Sequence, residues 1–215
     1  MKIHPILKRI LAVLSLVVLT LAAYLLWARP YQLHWGATSE EISRPMPGDD
    51  FVRTPAWTAT RAVAVAAEPE RVWPWLVQMG YRRAGFYSWD RLDNAGIPSA
   101  RDILPGYQGL SQGDLLPVSA DVDLLVRRLE APRALVLTSR EAEGIRWSWA
   151  WGLYPDGAGG TRLVSRLRLE GVGWTTRLLL DAGELVMMRK HLTGIRERAE
   201  DRGLGQRPAP GPSSR

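Results

Sequence analysis

Residues 10–28, ILAVLSLVVLTLAAYLLWA, form an uncharged stretch of 19 residues. A helix rising about 1.5 Å per residue needs roughly 20 apolar residues to cross the hydrocarbon core of a bilayer. Such a segment either spans a membrane or is removed as a signal peptide. A signal peptide has a shorter apolar core, about 7 to 15 residues, ended by a small-x-small cleavage site. Leu26, Trp27 and Ala28 before Arg29 make a poor site of that kind, so the reading is an uncleaved, single-pass anchor. Lys2, Lys8 and Arg9 precede it, whereas Arg29 and Arg44 beyond it are diluted by Glu40 and Glu41. This asymmetry predicts a cytoplasmic amino terminus and a main domain outside the cytoplasm. Tyr24 and Trp27 suit the water interface.

The rest of a 215-residue chain holds one domain of roughly 150 residues. A mean hydropathy of −0.13 argues against further spans. The net charge of +6 comes without a basic run, so nucleic acid is not expected; an anionic membrane surface and an ordinary basic surface both fit. Absence of cysteine removes disulfides, thiolate metal sites and cysteine nucleophiles. The predicted organisation is a basic flank at 1–9, the anchor at 10–28, a juxtamembrane segment at 29–57, a ligand-binding domain at 58–202 and a disordered tail at 203–215. Thr38 and Glu41 have capping-box spacing, so the juxtamembrane segment should contain a short helix bracing the domain near the bilayer.

Residues 59–67 read as a strand, 72–79 as a helix containing Pro74, and a second short helix is expected from Ser88 as N-cap. Short connections among strands at 115–118, 122–129, 133–139, 144–154 and 161–170 require an antiparallel meander. Trp147, Trp149 and Trp151 alternate with Ser148 and Ala150, and leucines at 163, 167 and 169 alternate with arginines at 162, 166 and 168. One sheet face is therefore apolar and the other substantially basic. A long terminal helix carries an apolar stripe through Leu178, Ala182, Leu185, Met188, Leu192, Ile195 and Ala199, with its firm start expected at or just after Gly183. The stripe's natural partner is the apolar sheet face. The fold class is α+β, a curved antiparallel sheet wrapped around a long C-terminal helix, with an N-terminal transmembrane helix.

This element order, with TRAVAVAAEPERVWPWLVQMGYRRAGFYSWDRLDN at 60–94, GD at 113–114, TRLVSRLRL at 161–169 and MRKHLTGIRERAE at 188–200, resembles the START-like helix-grip superfamily, also called SRPBCC, and within it a membrane-anchored bacterial branch. WGATSEE at 35–41 and PGDD at 47–50 add to the resemblance. It implies a deep, mostly apolar cavity between sheet and terminal helix, suited to lipids, sterols, polyketides or hormones, and it supplies no reaction.

Metal, serine-nucleophile, P-loop and dinucleotide signatures are missing, so no residue is put forward as catalytic and neither a metal site nor a cofactor is expected. The best polar constellation is Gln78, Arg83, Tyr87, Trp89 and Asp90, near the expected cavity mouth; its structural alternative is Asp90 capping a helix and pairing with Arg83. Trp147, Trp149 and Trp151 either line the cavity, fill it or face outward, and Met188 stands opposite them. The leading expectation is a membrane-anchored module binding or transporting a hydrophobic small molecule or lipid. The alternatives are a cyclase, dehydratase or hydrolase using Tyr87 and Asp90 as acid and base, or an interaction protein whose cavity is filled by its own side chains. The sequence leaves the oligomeric state open.

Overall fold

The structure, a computed structural model, describes residues 4–140 and 145–201. The expected tail at 203–215, Lys2 and the first residue of the strand predicted at 144–154 lie outside them. Helix α1 (Pro5–Ala23), a π-helical turn (Tyr24–Ala28) and α2 (Arg29–His34) follow one another without a break. The π-helical turn ends two residues before Pro30, whose ring removes an amide and crowds the preceding turn of a regular helix. The stretch Lys8–His34 is long and apolar enough to cross a membrane, and its most apolar window is 0% buried by the rest of the protein. It is therefore not a core helix.

Six strands, β1 (Trp57–Val65), β2 (Leu115–Pro117), β3 (Asp123–Glu130), β4 (Ala134–Thr138), β5 (Trp147–Pro155) and β6 (Thr161–Leu169), form one antiparallel sheet in the order β1-β6-β5-β4-β3-β2. Helices α4 (Pro69–Gln78) and α5 (Asp90–Asp93) lie between β1 and β2, and α6 (Trp174–Glu200) closes the fold. This is the expected α+β helix-grip arrangement. Two local expectations are corrected. Helix α6 begins at Trp174, well before Gly183; that glycine is exposed, where it costs about 1 kcal/mol relative to alanine and is outweighed by the rest of a long helix. Helix α5 starts at Asp90 with Trp89 at its N-cap, because the Ser88 hydroxyl donates instead to the Met187 carbonyl of α6 at 3.1 Å.

The inner face of the sheet carries Val63, Leu124, Leu135, Leu137, Trp151, Leu153 and Leu163, which pack with Trp75 and Leu76 of α4 and Met188, Leu192 and Ile195 of α6. The basic outer face is roofed by the juxtamembrane segment. Its helix α3 (Ser39–Ser43) has the predicted capping box, with Glu41 N donating to Thr38 Oγ1 at 3.2 Å and Thr38 N to Glu41 Oε2 at 2.8 Å. Met46 then packs on Ala62, Val136, Ala150 and Val164, with Phe51 and Tyr154 at the margin. Gly36 crosses the β1 edge with φ +72°, so close that a Cβ there would land on the Ala62 carbonyl.

Arg166 joins this roof to the sheet. Its Nε donates to Thr60 Oγ1 at 2.9 Å, Nη1 to Asp49 Oδ2 at 2.7 Å and the Arg44 carbonyl at 3.0 Å, and Nη2 to the carbonyls of Glu41 at 2.8 Å and Ile42 at 2.9 Å. All five N–H donors of the guanidinium are used. Arg162 binds the Glu41 carboxylate through both Nε and Nη2, each at 2.8 Å.

The membrane-compatible helix is joined to the domain by Asp181. Its carboxylate, 0% exposed, accepts from Tyr24 Oη at 2.9 Å, Arg29 Nε at 2.8 Å and Trp57 Nε1 at 2.7 Å. One turn on, Glu184 pairs with buried Arg61, whose Nε donates to the Gln32 carbonyl at 2.8 Å.

Replacing buried Arg166 by Met leaves the half-buried Asp49 carboxylate with only Arg168 and the Met46 amide as donors, and strips Thr60 Oγ1 and the carbonyls of Glu41, Ile42 and Arg44 of theirs. The expected loss is about 3–5 kcal/mol in urea unfolding of the detergent-solubilised protein, whereas Met at exposed Arg53 should stay within about 0.5 kcal/mol. Equal losses from both would remove Arg166 from its structural role.

Candidate functional site

The space between the sheet and α6 is mostly filled. Trp151 on β5 is fully buried and its Nε1–H donates to His191 Nε2 of α6 at 3.1 Å, while His191 Nδ1 lies 2.6 Å from the Phe86 carbonyl. Since the indole can only donate, Nε2 is the acceptor, and Nδ1 carries the proton that it donates to Phe86. Burial lowers the His191 pKa from 6.5 to about 4, with the Phe86 hydrogen bond acting in the opposite direction. The imidazole is a neutral bridge between β5, α6 and the loop before α5.

Trp149 tilts against Trp151 with ring centroids 4.3 Å apart and stacks on Phe86 at 6.1 Å. Beside these rings lies a crevice of about 110 Å³ lined by Phe86, Ser88, Asp93, Val118, Trp149, Met187, Met188 and His191. The deep cavity implied by the resemblance is thus reduced to a slot, because three aromatic rings and an imidazole occupy its floor. Drug-sized ligands are usually enclosed by roughly 300–1,000 Å³; this slot takes a chain end or one small ring.

Its rim is polar. Asp93 Oδ1 is buried without a hydrogen-bond partner. Burial first, and the neighbouring Asp90 second, push the Asp93 carboxyl above its ordinary range. Ser88 also borders an outer recess of about 710 Å³ with Trp89, Asp90, Arg91, Leu92, Gly96 and Lys190. Slot and recess share that serine. A further groove of about 590 Å³, between Pro45, Pro47, Pro69, Pro132 and Tyr154, lies away from α6 at the far end of the sheet.

The expected residues do not share one site. Trp149 and Met188 line the slot, Trp89 and Asp90 line the recess, and Trp151 lies behind the slot as its floor. Trp147 is at the sheet end, packed beside Trp57, Leu167 and Leu180. Tyr87 is buried with φ +58°, and its hydroxyl donates to the Trp75 carbonyl at 2.9 Å. The backbone of Tyr87 is pressed against Gly194, where a Cβ would strike its carbonyl oxygen. Gln78 is buried and ties down the loop after α5, accepting from Leu104 N at 2.9 Å and Gln108 Nε2 at 3.1 Å.

Arg83 and Asp90, offered as an ion pair, are not paired. Arg83 donates to the Val77 carbonyl at 3.0 Å and lies over the Tyr107 ring at 4.9 Å. Asp90 accepts from Ser99 N at 3.0 Å and Ser99 Oγ at 2.5 Å. The slot residues Phe86, Ser88, Asp93, Val118, Met187 and His191 were not among the expected ones. His191 and Met188, three apart on one helical stripe, are legible together; Asp93 and Val118 carry no local signal. Among the described residues no group of three or more His, Asp or Glu side chains could hold a metal ion.

No protein-family model matches the chain, and no curated protein matches it. Solved structures share its outline at low identity. Protein MLL2253 of Mesorhizobium loti is 17% identical with a TM-score of 0.43, covering 66% of this chain and 96% of its own. A protein of Nitrosospira multiformis is 11% identical with a TM-score of 0.47, covering 68% and 99% respectively. DynU16, from the dynemicin biosynthetic locus, is 18% identical with a TM-score of 0.42; the alignment takes in 63% of this chain and 46% of DynU16. Likenesses this distant assign no family, ligand or reaction.

The His191 bridge has a pH signature. The unfolded chain takes up the proton near 6.5 and the folded one only near 4, so its contribution is complete above pH 6.5 and is lost as pH falls through 4. Urea midpoints measured from pH 7 to pH 4 should fall more steeply for the native chain than for His191→Gln; parallel profiles would contradict the buried neutral imidazole.

Proposed function

We propose that this chain is a single-pass, membrane-tethered binding module of the START-like type, which takes an amphiphilic, lipid-like molecule by its apolar end. The observation that carries the reading is the slot between Phe86, Trp149, Met187 and Met188, bordered by Ser88, which also borders the wider recess. An apolar end enters between the stacked rings and the thioethers, whose flexible side chains adapt to irregular shapes. The remainder lies along Trp89 and Leu92, with a hydroxyl or amine accepted by Asp93 and an acidic headgroup met by Lys190 or Arg91.

Tethering shortens the path of a molecule that partitions into membranes. In this reading Lys8, Arg9 and Lys2 hold the amino terminus in the cytoplasm, and the domain stands on the other side. The enzyme alternative fits less well, because the Tyr87 hydroxyl is committed to Trp75 and the Asp90 carboxylate to Ser99. The filled-interior alternative draws support from Trp151 and His191, and ligand capture decides between it and binding.

Titration of the full-length protein in detergent with a fluorescent polyene fatty acid should give saturable binding that Met187→Trp weakens at least about tenfold, a loss of roughly 1.4 kcal/mol. Met187 is half-buried, so the variant should fold. Unaltered affinity would move the site elsewhere, and no binding by either protein would leave the filled-interior reading.

A further inference from the structure

The first half of α6 leaves an apolar face uncovered. Trp174 is 73% exposed, Leu178 46%, Leu179 76% and Val186 54%. The charged residues of this half are Arg177, Asp181 and Glu184, and both acids are turned away from that face, Asp181 onto Tyr24, Arg29 and Trp57 and Glu184 onto Arg61. An exposed apolar surface of this kind on an otherwise well-packed domain marks an interaction site.

The bonds of Asp181 say what covers it. Tyr24 and Arg29 stand where the apolar stretch ends, so the hydrogen bonds to them place residue 181 of α6 at the level where the span leaves the hydrocarbon. Leu178 and Leu179 lie within one turn of Asp181, and Trp174 is seven residues away, about 10 Å along the helix axis. Trp27, 72% exposed, and Tyr31, 55% exposed, stand at the same level on the spanning helix. Aromatic rings at that depth, beside Arg29 and Arg177, match the composition of a membrane–water interface.

We infer that residues 174–186 of α6 are a second membrane contact, lying in the interface of the bilayer that the N-terminal helix spans, so that the domain is seated on the lipid by two helices. The inference rests on the membrane-tethered reading. It adds that the domain does not swing freely on its anchor and that the Trp57–Leu169 end of the sheet faces the lipid.

The chain has no cysteine, so single-cysteine variants can be labelled with the environment-sensitive fluorophore NBD. Full-length protein carrying the label at Leu179→Cys, Leu19→Cys or Ala158→Cys is reconstituted into phosphatidylethanolamine–phosphatidylglycerol vesicles containing lipids with doxyl quenchers both high and low on the acyl chain, the low one matched to the depth of position 19. Position 19 lies within the span, and position 158 is in the exposed turn between β5 and β6 at the opposite end of the sheet. Blue-shifted emission more than halved by the low quencher at 19 and by the high one at 179, with none at 158, is the expected result. Quenching at 19 without quenching at 179 overturns the second contact and leaves the anchor standing. Absence of quenching at 19 removes the anchor and the inference with it. Label self-quenching between copies at 179, unaffected by either lipid quencher, would show that a second chain covers the face, and also overturns the inference.

Discussion

The arrangement depends first on one carboxylate withdrawn from water. Asp181 gives up its hydration entirely and is compensated by three donors, a phenol and a guanidinium from the N-terminal helix and an indole from β1. Removing such a group's partners leaves a buried charge without compensation, which costs more than the individual bonds are worth. The consequence is geometric as much as energetic. Donors on two other elements must all be in place at once, so the N-terminal helix, β1 and α6 have one mutual orientation. Arg61, reaching both Gln32 and Glu184, repeats the arrangement one helical turn further on. Its pKa is lowered by burial to about 10, which still leaves it charged at neutral pH.

On the other side of the sheet, a guanidinium has the corresponding task. A row of arginines on an outer strand face would ordinarily be solvated. Here Arg162, Arg166 and Arg168 are held by carboxylates and carbonyls of the segment between the N-terminal helix and β1. That segment is consequently part of the domain and not a tether. Glu41 shows how closely the two are joined: burial would raise its pKa, but the Arg162 pair and the Thr38 amide outweigh this and hold it below the ordinary carboxylate value.

What could be read beforehand follows from periodicity and local chemistry. The span, the Thr38–Glu41 box, the alternation in β5 and β6 and the stripe of α6 are all written in spacings of a few residues. Periodicity reports which face is apolar or basic, and it is silent on what lies over that face. The sequence therefore placed the three tryptophans on one face and left open whether they line, fill or leave the interior; Trp151 fills it, Trp149 borders what remains, and Trp147 closes the sheet end. Polar pairing was the least legible. Arg83 and Asp90 are near in sequence, but Val77, Tyr107 and Ser99 offered them better geometry. Asp93, the last residue of α5, and Val118, just beyond β2, border the same slot, a relation that no local pattern encodes.

The two margins of the sheet carry a further consequence. Edge strands present unpaired amides that can recruit a strand from another chain. At one margin β2 is only three residues long. At the other, the β1 amides of Ala62 and, just beyond the strand, Ala66 are taken by the Trp35 carbonyl at 3.1 Å and the Glu200 carboxylate at 2.8 Å. The segments that enter and leave the domain thus also stopper its open edge, and the fold resists joining its neighbours strand to strand.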